Sequence, residues 1–403
     1  MPESKWPMVS VDEALSTVMR FARPLAPQTM PLMEALDRVL AIDVCAGEDM
    51  PPFRASSVDG FAVVADDTAP ERRLVGEQTA GRQEDIVVTP GTAARITTGA
   101  PVPEGANAVV MVEQTEERDG HVRLRQPTLP QGANIRPIGQ DIRRGEVVLR
   151  AGALLGPAEL GVLATVGRAE VEVIPAPVVA VLSTGDELVE PGTRPGPGQI
   201  RDSNRYTLMA SVRRLGAVGL DLGIVQDKQG DLEQRVQRGL TEADIFVSSG
   251  GVSMGHLDLV KPLLERLGTV HFGRVNMKPG KPLTFATVGA TLAFALPGNP
   301  VSSLVGFELF VRPVIRRLQG YPDSQRAMVR ARLAHNVRHE PDRTEFQRAI
   351  VHRTPEGYTA QTTGAQGSSR LMSMVGANAL LVLPHGTGDY ATGDDVDVLM
   401  LND

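Results

Sequence analysis

The sequence predicts a multidomain protein built from α/β and β-rich parts, centred on a doubly wound, mostly parallel sheet, and three observations point there. Residues 177–321 alternate short apolar runs with stretches of helical periodicity. Upstream, helix-bearing sequence is interrupted at 50–141 by short apolar runs broken by Gly, Pro and Asp. From Met328 onward helical periodicity fades and strand-like runs alternate with turn residues. A chain of 403 residues suits roughly two to four domains.

The elements follow in order. Ser10 and Glu13 form a capping box, and Val11, Leu15 and Val18 recur at helical spacing as far as Pro24, which stops the helix. Residues 31–42 repeat that pattern with Leu32, Leu36, Val39 and Leu40, so a second helix is expected. Pro51 and Pro52 then open the β-rich insert, with strands expected at 61–64, 108–112 and 121–124. Residues 147–173 turn apolar again, with Leu154, Leu155, Leu160 and Leu163 in a periodic stretch. Residues 1–49 and 142–176 are therefore expected to form one discontinuous domain around the insert at 50–141.

In the α/β domain, 177–327, strands are expected at 178–182, 220–225, 245–247 and 292–296. The helices between them carry Leu208, Val212 and Leu215; Leu232, Val236 and Leu240; and Leu257, Val260, Leu264 and Leu267. Asn299 as cap and Pro300 in the first turn open a last helix, which Pro313 should kink. Strands at 329–333, 346–351, 379–383 and 396–401 then predict a small β-barrel or sandwich over 328–403.

Composition narrows the function classes. The net charge of -7, with no lysine or arginine block, leaves no electrostatic footprint for nucleic acid. Cys45 is the only cysteine, so neither a disulfide nor a cysteine-ligated metal site can form within one chain. No signal-type start and no long apolar span are present, which predicts a cytoplasmic protein without membrane contact. Lysine is scarce, yet two of the five, Lys278 and Lys281, share one Pro/Gly turn.

Three strand ends in the α/β domain carry glycine turns: Ser183, Thr184, Gly185; Ser249, Gly250, Gly251; and Pro297, Gly298, Asn299, Pro300. Such turns expose N–H groups at carboxyl strand ends, where α/β sheets bind anions, and Ser302 adds a hydroxyl at a helix start. Residues 251–255 also satisfy G-x-S-x-G around Ser253, which leaves three readings of that turn open: an anion cradle, a hydrolase nucleophile elbow and a plain structural turn. For an elbow, no HGGG-like segment precedes it, and His335, His339, His352 and His385 stand in a differently composed region. Asp186, Glu187, Asp227 and Asp258 accompany the same rim. Carboxylates beside a phosphate site imply a divalent cation between them, of the Mg²⁺ type. Lys278 and Lys281 could neutralise an oxyanion.

Taken together, the motifs PPFRASSVDGFAV (51–63), TTGAPVPEGANAVVMVE (97–113), GQDI (139–142), STGDEL (183–188), SSGGVSMG (248–255), NMKPGKP (276–282), LPGNPVS (296–302) and SSRLMSM (368–374) resemble the MoeA family, which includes the gephyrin E domain. The resemblance covers nearly the whole chain. It implies an elongated homodimer of four-domain subunits, the third domain MogA-like and the fourth a β-barrel. The implied reaction inserts molybdenum from molybdate into adenylylated molybdopterin and releases AMP with Mg²⁺, in possible contact with a molybdopterin adenylyltransferase. A non-catalytic gephyrin-like scaffold is the alternative from within the family. Carried over by position, the resemblance implies catalytic parts for Asp258, Asp59, Asp141 and Asp227. It implies substrate contacts from Thr98, Gly99 and the three glycine turns, and molybdate contacts from Ser253, Lys278, Lys281, Ser302 and Arg343. Mg²⁺ would fall to Asp186, Glu187 and Asp258. His256 departs from the acidic residue often found there.

Overall fold

A computed structural model describes residues 6–226, 229–251 and 259–402. They form two compact units. One holds the described residues of 1–29, 37–41 and 172–403, the other 30–36 and 42–171.

The first unit is organised by a six-stranded sheet in the order Val218–Val225, Val178–Thr184, Ile245–Ser249, Thr291–Leu296, Thr284–Val288, Thr269–Phe272. The first four strands run parallel; Thr284–Val288 turns antiparallel to Thr291–Leu296 through a tight hairpin at Gly289, whose φ of 58° suits glycine, and Thr269–Phe272 pairs antiparallel to Thr284–Val288 in turn. Period-two alternation explains the two covered faces. Val179, Val181, Ile245, Val247, Leu292, Phe294 and Leu296 point into one core with Leu208 and Val212 of helix Asn204–Arg214 and Ala14 and Val18 of helix Val11–Phe21. Ala180, Leu182, Phe246, Ala293 and Ala295 point into the other, beneath helices Gln229–Glu242 and Val260–Leu267. Each fully buried large apolar side chain contributes about 1.5–3 kcal/mol.

The capping box is formed: Glu13 N donates to Ser10 Oγ at 3.2 Å and Ser10 N to Glu13 Oε2 at 2.8 Å. The second helix expected at 31–42 is not. A short 3-10 turn, Leu32–Ala35, ends before Asp37 at φ 60°, and Val39–Leu40 pairs as a strand with Val173 and Ile174. The apolar residues read there as a helical face are instead shared between a turn and a strand. Pro313 is accommodated by a π-helical turn, Phe307–Val311, between helices Pro300–Gly306 and Arg312–Leu318. Widening the turn before the proline avoids the clash that a regular α-helix would impose.

The carboxyl end of this unit is a closed five-stranded barrel. Thr344–Thr354 pairs with Gly357–Thr362 and Ala379–Leu383, and Met328–Leu333 and Asp395–Met400 complete the ring. Its core is Leu333, Val351, Leu381, Leu383, Val396 and Val398 with small residues between. The short strand Met277–Lys278 joins the barrel beside Thr344–Thr354, placing Lys278 opposite Glu345.

In the second unit a six-stranded mixed sheet runs Ala108–Met111, Gly60–Val63, Thr92–Ile96, Glu71–Gln78, His121–Leu124, Thr115–Arg118. Gly60 is obligatory, since a Cβ there would lie 1.8 Å from Val110 O. Helix Pro157–Thr165 packs on the 3-10 turn Leu32–Ala35.

Candidate active site

The register of the parallel strands sets the rim. Ser183 lies opposite Ser249, and Ser249 opposite Leu296, so the three glycine turns leave the sheet at one level. Gly250, at φ 92°, donates its N–H to Leu296 O at 3.1 Å, and a Cβ there would lie 2.5 Å from Thr184 O. Gly251, at φ 66°, passes over the Thr184 hydroxyl, 3.0 Å from its own Cβ position. A Cβ on Gly298 would lie 3.7 Å from Gly250 Cα. The structure therefore brings together Ser183, Thr184, Gly185, Ser249, Gly250, Gly251, Pro297, Gly298, Asn299 and Pro300. Asn299 occupies the N-cap position of helix Pro300–Gly306, although its side chain makes no capping hydrogen bond.

Asn204, which sequence reasoning missed, ties two of these turns together. Its Nδ2 donates to Ser249 Oγ at 2.8 Å and to Gly298 O at 2.7 Å. Ser249 Oγ in turn donates to Pro297 O at 3.3 Å. Asn204 Oδ1 and Thr184 Oγ1 are buried with no hydrogen-bond partner. The available signal was a polar residue at the first position of a helix that follows a strand end.

Beneath Asn204 lies a charged network. Ser183 Oγ donates to buried Asp202 at 3.1 Å, and Arg205 reaches Asp202 at 3.1 Å, Asp221 at 2.5 Å and Glu190 at 2.6 Å. Burial opposes the Arg205 charge, but hydrogen bonds to Asp221 and Asp202 and the charges of Asp221 and Glu190 outweigh it, holding the guanidinium pKa above its ordinary value.

The lysine turn adjoins the helix start. A Cβ on Gly280 would lie 3.6 Å from the carbonyl of buried Ser302, and Val301 N donates to Ser368 O at 3.1 Å. Lys278 Nζ meets Glu340 at 3.0 Å and Glu345 at 3.2 Å, and Arg343 meets Glu340 at 3.2 Å. Lys278 first, and Arg343 after it, hold the Glu340 carboxyl below the usual range. Lys281 makes no ion pair among the described residues; its carbonyl accepts from Val275 and Leu283. The backbone between Lys278 and Lys281 thus lies against Ser302 in segment 297–302, and Lys278 and Arg343 share Glu340.

Asp186 and Glu187 are exposed just beyond Gly185, and the Glu187 carboxylate folds over it, 2.4 Å from where a Cβ would sit. Among the described residues no three His, Cys, Asp or Glu side chains lie close enough to hold a metal ion by themselves. Asp186 and Glu187 are consecutive and would supply two carboxylates, the number that Mg²⁺ takes from a protein when phosphate and water complete its ligands. Asp227, Ser253 and Asp258 lie outside the described residues. Asp59, Thr98, Gly99 and Asp141 belong to the second unit. There Asp59 accepts from Thr98 N at 2.7 Å and Thr98 Oγ1 at 2.9 Å, and the backbone amide and then the hydroxyl lower its pKa. Gly99, at φ 80°, donates to Ser56 O, and Asp141 pairs with Arg136.

Family models match in three consecutive blocks: the MoeA N-terminal region (domain I and II) at 9–167, a model described as "probable molybdopterin binding domain" at 180–317, and the MoeA C-terminal region (domain IV) at 330–401. The chain is 36% identical to the molybdopterin molybdenumtransferase of Haemophilus influenzae, across 98% of this chain and 99% of that protein. The chain belongs to the MoeA family. Molybdopterin molybdenumtransferase 2 of Mycobacterium tuberculosis is 38% identical over 97% of this chain and 99% of its own length. Gephyrin of Dictyostelium discoideum is 36% identical, and the chain spans 63% of it. Two structures of a molybdopterin biosynthesis MoeA protein from Pyrococcus horikoshii match 98% of this MoeA-family chain and 100% of theirs, with TM-scores of 0.85 and 0.78 at 30% and 28% identity.

Proposed function

We propose that this MoeA-family protein acts in molybdenum cofactor biosynthesis as a molybdopterin molybdenumtransferase, inserting molybdenum from molybdate into adenylylated molybdopterin and releasing AMP. The observation that carries the reading is the meeting of three glycine turns with the Lys278–Lys281 loop through segment 297–302. Gly185 and Gly250 spend their N–H groups on Val225 O and Leu296 O, but those of Gly298 and Asn299, with no acceptor among the described residues, suit the phosphates of the pterin nucleotide. Lys278, Lys281 and Arg343, with the hydroxyls of Ser302 and Ser253, suit the tetrahedral dianion. Holding both substrates on one rim turns an encounter of two solutes into a reaction between neighbours.

Asp186, Glu187 and Asp258 would hold Mg²⁺, which supplies charge stabilisation at the anhydride phosphate. Asp258 takes the first place in the chemistry, with catalytic parts also for Asp59, Asp141 and Asp227. A homodimer, contact with a molybdopterin adenylyltransferase and a cytoplasmic location complete the proposal. Among the described residues no helix is long and apolar enough to cross a membrane. The test is single-turnover AMP release from adenylylated molybdopterin with molybdate. Asp258→Asn should fold normally and release no AMP; normal release by that variant would overturn the assignment.

A further inference from the structure

Behind Lys278 stands a buried pair that needs one more proton than its neutral histidine can bring. The His339 ring is fully enclosed, with Nδ1 3.2 Å from Glu345 Oε2 and Nε2 3.0 Å from Pro384 O. Both neighbours are acceptors: a carbonyl always, a carboxylate when ionised. A neutral imidazole has a single N–H, so satisfying both contacts takes a second proton, carried by the ring or by Glu345. The other oxygen of Glu345, whose side chain is 5% exposed, faces Lys278 Nζ at 3.2 Å.

The charges around this point are few. Lys278 and Arg343 stand against Glu340 and Glu345, and Arg348 acts on Glu345 through space. Asp389 accepts the His339 backbone N–H, and the Tyr390 ring centre lies 6.5 Å from that of His339. With the extra proton in place, the Glu345 charge is compensated from behind and Lys278 can face an incoming dianion. Without it, a full carboxylate charge sits on the lysine and opposes that dianion across a poorly screened interior.

We infer that Glu345 and His339 are positioning residues for Lys278, and that the proton they share sets how strongly Lys278 takes an oxyanion. This rests on the proposed role of Lys278 as a molybdate ligand. Neither side chain touches substrate; both act through the lysine.

The experiment is calorimetric titration of the full-length protein with molybdate alone, from about pH 5 to pH 9. Wild-type affinity should fall as pH rises. Glu345→Gln should bind tightly with no such fall, because glutamine donates to the ring and places no charge on Lys278. His339→Gln should bind about tenfold more weakly than wild type at low pH and show no slope. Should His339→Gln fail to fold, the Glu345→Gln profile decides alone. Lys278→Ala separates the two levels of the argument. If it binds molybdate like wild type, the anion-site reading fails. If it loses binding while Glu345→Gln and His339→Gln both keep the wild-type slope, the shared-proton inference fails.

Discussion

Two cations on the first unit meet carboxylates in opposite ways. Arg205 is buried, with a side chain 6% exposed, and one of its three partners, Asp202, is 1% exposed. Lys278 is 30% exposed, and one of its two partners, Glu340, is 61% exposed. The first arrangement is closed at Asp202, while Glu190 and Asp221 reach the surface: every guanidinium edge is used, and neither Arg205 nor Asp202 can be rehydrated without unpacking the segment that carries Asn204. The second is open on one side, so an incoming anion can compete with Glu340 for the ammonium. Planar arginine, with donors fixed in a fork, suits the closed case, and a flexible single-point lysine suits the exchangeable one. Similar charge neighbourhoods thus serve as support in one place and as a binding group in the other.

The sharpest way to break this comparison is to delete each cation. Arg205→Ala leaves Asp202 charged and unpaired in the interior, a loss of about 3–5 kcal/mol. It should appear as a lowered urea midpoint with little change in slope. Lys278→Ala should move stability by less than about 1 kcal/mol, because Lys278 and Glu340 are hydrated and buried Glu345 keeps its contact with His339, while molybdate binding is lost. Equal destabilisation by the two substitutions would abolish the distinction.

The contrast also explains what was legible beforehand. Apolar runs such as 245–247 and 292–296 announced buried strands because each residue's preference acts locally, and the glycines at 250, 251 and 298 announced where the backbone must turn or approach closely. The two lysines stood out by their scarcity elsewhere. Arg205 did not, because its partners Glu190 and Asp221 come beside it only after the sheet has closed. Asn204 was hidden for the same reason: its worth lies in Ser249 and Gly298, far along the chain. Strand Gly357–Thr362 was invisible because only Ala360 in it is buried, and its place is set by pairing on both sides. The segment 31–42 misled because apolar spacing alone does not separate a helix from a turn followed by a strand.

Smaller effects sharpen the rim itself. Gly250→Ala combines a left-handed backbone with a Cβ 2.5 Å from Thr184 O, a backbone atom held in the sheet. The two strand ends must part, and a loss of about 2 kcal/mol or more is expected in the same urea assay. Asn204→Ala removes the donor from Gly298 O and Ser249 Oγ but also removes an unpartnered buried oxygen, so about 1 kcal/mol should be lost. Asn204→Asp keeps the shape and replaces the donor with an acceptor facing a carbonyl. Its melting temperature should therefore fall below that of Asn204→Ala, and the reverse order would mean that shape, rather than the donated hydrogen bonds, holds the turns together.

The smallest effect lies in the second unit. Asp59 accepts first from the Thr98 amide and second from its hydroxyl, and both favour the ionised carboxylate. Because its pKa is depressed in the folded protein, this contribution to stability is complete above the unfolded aspartate value of about 3.9 and disappears as pH falls through the lower folded value. Thr98→Val deletes only the hydroxyl. The Asp59 carboxyl, followed by carbon-13 NMR during acid titration, should move part of the way back toward an ordinary aspartate and no further, since the amide is retained. A full return would mean that the hydroxyl carries the depression, and no movement would mean that the amide carries all of it.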